Sequence, residues 1–151
     1  MSHPTDPDPR LLAELDRLDA ERTAAPSQDA EIAFWKAAAK LGTWFFVNRG
    51  TDESPRPYAL QLDGVGPVVS AYSSAGRARE AAVELGLVGD GDAVPLFALP
   101  MPGALDWVSS LSAAGVGGVA INHPRIGAWI PLPNLAILKS WTAEEPPPPA
   151  P

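Results

Sequence analysis

Along the chain, apolar positions change period several times, and each change predicts an element. Leu11, Leu15 and Leu18 recur at i, i+4 and i+7 among charges from Arg10 to Arg22, a narrow helical stripe that Asp8 can cap with Pro9 in the first turn. Ser27 can cap a second helix whose apolar positions include Ile32, Phe34, Trp35, Ala38 and Ala39, ending at Gly42. The period then drops. Residues 43–48 (TWFFVN), 58–62 (YALQL) and 67–72 (PVVSAY) read as three strands, with Asp63-Gly64 turning the second into the third, and they predict an antiparallel meander. Ser73-Ser74 ends the third strand and offers a cap to a helix through Ala78, Ala81, Ala82 and Leu85, which Gly86 and Leu87 close.

The centre of the chain spans residues 94–133. The runs VPLFAL (94–99) and VGGVAI (116–121) lack polar alternation, as suits strands covered on both faces. Between them, Ala104, Trp107, Val108 and Leu111 share one helical face, with Pro102 in its first turn and Gly115 as its stop. Strand, helix and strand predict a right-handed parallel crossover. Asn122-His123-Pro124 is a turn, residues 126–130 a last strand, and Asn134 a cap for a short helix to Trp141. The expected fold class is α/β, of the mixed α+β kind. About six strands form one mixed sheet, a meander followed by βαβαβ crossovers, behind two N-terminal helices. Residues 1–26 form an acidic extension with a short amphipathic helix, 27–142 the globular domain, and 143–151 a polyproline tail.

Charge sharpens this division. The net charge is −7. Residues 1–31 hold eight acids and three bases, residues 32–142 eight of each, and Glu144 and Glu145 supply the rest. A body without a concentrated basic patch argues against nucleic-acid and anionic-lipid partners. No apolar run reaches the length of a membrane span, and the N-terminus lacks the basic and apolar segments of a secretory signal, so a cytoplasmic protein is expected. There is no cysteine, and the two histidines, His3 and His123, stand in no metal-ligand spacing. No metal, cofactor or catalytic residue is therefore expected, and the chain reads as a non-enzyme.

The glycines at 115, 117 and 118 follow a helix and enter a strand, the reverse of a phosphate cradle. Asp90-Gly91-Asp92 lacks the glutamate of a calcium loop, since Met101 stands at that position. The best small-ligand candidate is the strand-to-helix junction Ser73, Ser74 and Arg77, where free N–H groups and a guanidinium could seat an anion. The opposing reading gives Arg77 to water or to a carboxylate. Candidate interaction residues are Leu11, Leu15 and Leu18 on the arm, and Trp129 and Trp141 beside Pro131, Pro133 and the proline tail. The leucine stripe suits either packing on its own domain or pairing with another chain.

With these pieces assembled, AYSSAGRAREAA (71–82), VPLFAL before an amphipathic helix, and VAINHP (119–124) leading into IPL (130–132) resemble the N-terminal domain of the SseB (enhanced serine sensitivity) family over roughly residues 41–140. The resemblance implies a non-enzymatic bacterial domain, associated with secretion or stress, that works through protein contacts. It carries over no catalytic residues. The expected partner is a protein: either a secreted protein or a second copy met through the N-terminal helix.

Overall fold

The computed structural model describes residues 7–142 of the chain; the proline tail and the first residues lie outside them. Five helices and six strands follow in the order α1 (Pro9–Ala24), α2 (Gln28–Ala39), β1 (Thr43–Val47), β2 (Ala59–Leu62), β3 (Gly66–Ala71), α3 (Ala75–Glu84), β4 (Leu96–Pro100), α4 (Gly103–Ser110), β5 (Gly118–Ile121), β6 (Trp129–Pro131) and α5 (Leu135–Thr142). The class is mixed α+β, with two helices ahead of the first strand.

Local chemistry sets the helix ends. Asp8 accepts from the Arg10 N–H, Ser27 from the Ala30 N–H and Ser74 from the Arg77 N–H, each satisfying a donor the helix itself cannot. At the end of α3, Gly86 takes φ +73°, and the Leu87 N–H reaches back to the Ala82 carbonyl at 2.9 Å. This is the Schellman closure that Gly-Leu predicts.

Strand pairing departs from the expected meander in two places. The hairpin is present, with β2 antiparallel to β3, but β1 pairs with β4, Thr43 facing Pro100 and Val47 facing Leu96. The strands therefore divide into a two-stranded sheet, β1-β4, and a four-stranded sheet, β2-β3-β5-β6. The second departure follows from the first. Strands β4 and β5 lie in different sheets, so β4-α4-β5 is no parallel crossover; β5 runs parallel to β3 instead, Val69 beside Val119. One reciprocal pair joins the sheets, Phe45 and Tyr72 exchanging N–H···O bonds of 2.9 and 2.7 Å.

Strand β1 explains why its sequence shows no polar alternation. Trp44 and Phe46 face the main core with α2 and α4, while Phe45 and Val47 face a second core under α3, built with Tyr72, Ala78 and Ala82. Both faces are covered, so both carry apolar groups. The glycines entering β5 serve packing. A Cβ on Gly118 would stand 2.7 Å from the Ile130 carbonyl oxygen and 2.9 Å from the Trp129 ring, a distance no side chain tolerates. Gly115, at φ +91°, ends the 3-10 turn after α4.

Candidate functional site

Two places bring the candidate residues together. The first lies at the carboxyl ends of β3 and β5, where a parallel pair opens the crevice that α/β sheets use for ligands. Asn122 leaves β5 with φ +59° and is buried. Its Oδ1 accepts from the Ser73 N–H at 2.9 Å and from the Ser73 hydroxyl at 3.1 Å, and its Nδ2 donates back to Ser73 Oγ at 2.9 Å. Arg77 adds a contact from Nη1 to Ser73 Oγ at 3.3 Å. Its main partner comes from the other end of the chain. Arg77 Nη1 and Nη2 bind the two oxygens of Asp16 at 3.0 and 2.5 Å, and Arg125 reaches the same carboxylate at 3.3 Å.

Ser73, Ser74 and Arg77 are thus brought together as the sequence suggests, with their polar groups used internally. Ser73 binds Asn122, Ser74 caps α3, and the guanidinium goes to a carboxylate of α1. A bidentate arginine–carboxylate pair is the stronger kind of ion pair, and this one is largely sheltered, with the Arg77 side chain 14% exposed. The space beside it, about 210 Å³, is also lined by Glu80 and Glu84, which lowers its appeal to an anion. Next in the turn, burial holds His123 below its ordinary pKa, opposed by the Glu84 carboxylate.

Asp16 also settles where α1 lies. Leu15 is fully buried in the main core, and Leu12 and Leu18 pack against it. As an inter-chain contact Leu15 is therefore corrected, because its side chain already belongs to its own domain. Leu11 stays 40% exposed and, with Leu18, lines a groove of about 450 Å³ between α1 and α2.

The second place is a groove of about 390 Å³ between α2 and α5, lined by Ile32, Trp35, Ile130, Ile137, Leu138 and Trp141. Ile137 is 52% exposed and Ile32 37%. Trp35 is 3% exposed, yet its indole N–H meets no acceptor among the described residues. In the polar lining, Glu31 is held by Arg22 at 3.0 Å. The Lys36 ammonium stands 5.6 Å over the Trp141 ring, a cation–π contact, on the ridge of α2 between the two grooves. Trp141 thus lines the groove. Trp129 does not join it, because its ring covers Gly118 in the sheet. Sequence reasoning missed Trp35 and the two isoleucines. The i, i+3 spacing of Ile32 and Trp35 is visible, but it reads equally as core.

The chain matches no protein-family model, no curated protein and no solved structure. Fold and site together define a small α+β domain with a closed polar junction on one side and an open apolar groove on another. No helix among the described residues is long and apolar enough to cross a membrane. The SseB-like resemblance rests on its sequence motifs alone.

Proposed function

We propose that this chain is a non-enzymatic protein-interaction or adaptor domain of the SseB-like type, cytoplasmic and linked to bacterial secretion or stress, and that it receives an extended proline-rich peptide between α2 and α5. The observation that carries this reading is the groove itself, which keeps two isoleucines partly exposed beside two tryptophans. A proline-rich segment in the polyproline II form has no internal hydrogen bonds and offers its carbonyls outward. Its rings pack on aromatic faces, and its stiffness limits the entropy lost on docking.

Magnitudes make this a weak, exchangeable contact. Covering the exposed parts of Ile32 and Ile137 contributes on the order of 1 kcal/mol each. With stacking on tryptophan of about the same size, the sum of about 3 kcal/mol puts the affinity in the millimolar range. The test is a titration of a capped oligoproline peptide into the full chain, followed by tryptophan fluorescence. The expected result is a saturable change that Ile137→Asp abolishes. A response that never saturates, or one indifferent to that substitution, contradicts the reading.

A further inference from the structure

We infer that the partner peptide continues from the α2/α5 groove across α2, setting an acidic pair on Lys36 and Lys40 and an aliphatic side chain in the α1/α2 groove beyond. This rests on the α2/α5 groove being a proline-peptide site, and it extends the recognised segment from one contact to three.

The faces of α2 place these contacts. Ile32 and Trp35 line the α2/α5 groove, whereas Ala33 and Ala37 line the groove shared with α1. Phe34, Trp35, Ala38 and Ala39 are buried, so at 3.6 residues per turn Lys36 and Lys40 fall on the outer ridge between the grooves. Lys36 touches both sides, reaching the Trp141 ring while lining the α1/α2 groove.

Charge selects what crosses the ridge. Of the other charged residues lining the two grooves, Arg17 is held by Glu14 and Glu21, and Glu31 by Arg22. Neither Lys36 nor Lys40 meets a carboxylate among the described residues. Asp29, on the same side of α2, lies about 10 Å along the axis from Lys36, in the first turn, where the helix dipole favours it. Two like charges at i, i+4 repel, and a peptide carboxylate between them relieves that repulsion. Beyond the ridge, Leu11 is 40% exposed beside Leu18. Across from them, Ala33 and Ala37 are too short to fill the space, about 450 Å³. Crossing a helix about 10–12 Å wide takes three to four extended residues at about 3.3 Å each. The aliphatic residue therefore belongs about four positions from the proline run.

The test titrates the full chain with three capped peptides of equal length, followed by tryptophan fluorescence. One is a proline run joined to serines. The second replaces the two serines next to the prolines with aspartates, and the third adds leucine four positions from the run. Each is made in both chain directions, and the tighter direction is compared. The acidic pair should raise affinity about threefold, as exposed ion pairs do, and the leucine about fivefold more. The first gain should vanish in Lys36→Gln with Lys40→Gln and in high salt. The second should survive high salt and vanish in Leu11→Asp, where an acid in the first turn keeps α1 intact. Equal affinity for all three peptides overturns the inference and leaves the proline groove standing. Gains that persist in these variants overturn it too, by placing the added residues elsewhere. Absence of binding by any peptide overturns both readings.

Discussion

Helix α1 is held to α3 by charge and hydrogen bonds, whereas α2 and α5 meet along an apolar cleft left partly open. At the first seam the side chains of Ser73, Ser74, Arg77 and Asn122 each have a partner within the chain. At the second, a buried indole N–H has none among the described residues, and Ile137 remains half exposed. A finished polar network rigidifies a junction and fixes its geometry. Exposed apolar surface in a cleft is what a binding groove presents. On the proposed reading, the contrast gives structural work to the residues whose types look most like chemistry, and recognition to residues that look like core.

Substitutions on the two seams should therefore separate stability from binding. The largest effect is expected for Asn122→Ala. It strands the buried Ser73 N–H and leaves alanine in a left-handed conformation, together costing about 3 kcal/mol. Urea denaturation measures this, and peptide affinity should hold wherever the variant is folded. The second core under α3 supplies the next effect. Burial pushes Tyr72 up to about 12, above its unfolded value of about 10. The neutral form is the one favoured in the fold, so its stabilisation is complete below pH 10. It is lost as pH rises from about 10 to 12, by roughly 2 kcal/mol. Denaturant midpoints across that range test it, with phenolate absorbance reporting the ionisation.

Arg77→Ala should cost about 1–2 kcal/mol, less than a fully buried pair, because Asp16 is 32% exposed and keeps Arg125. Its cost should shrink in high salt. Smallest in stability is Ile137→Asp, within about 0.5 kcal/mol as for other exposed sites, although it is the substitution that should abolish peptide binding. A loss of peptide affinity in Arg77→Ala of the size expected for Ile137→Asp would erase the distinction between the seams.

Much of the architecture was legible because its signals are local. The caps at Asp8, Ser27 and Ser74, the Gly86-Leu87 closure and the Asp63-Gly64 hairpin each follow from a few adjacent residues. Strand partnership was not. Runs such as TWFFV and VPLFAL are apolar on both faces, so the pattern that pins register in a half-exposed strand is missing. Nothing local tells β1 to choose β4 over β2. The site divides the same way. Ser73, Ser74 and Arg77 were visible as a junction, but the carboxylate that Arg77 meets stands 61 residues earlier, beyond any motif's reach. Trp141 was visible through its proline neighbours. Trp35 was assigned to the core by periodicity, and it is both, buried at its ring and contributing to the cleft.

The affinity of the oligoproline peptide for Ile137→Asp and for Arg77→Ala, compared as folded full chains, bears most directly on the claim that recognition lies between α2 and α5. Binding should vanish in the first and persist in the second. Binding that persists in Ile137→Asp and vanishes in Arg77→Ala would place the ligand at the strand-to-helix junction instead.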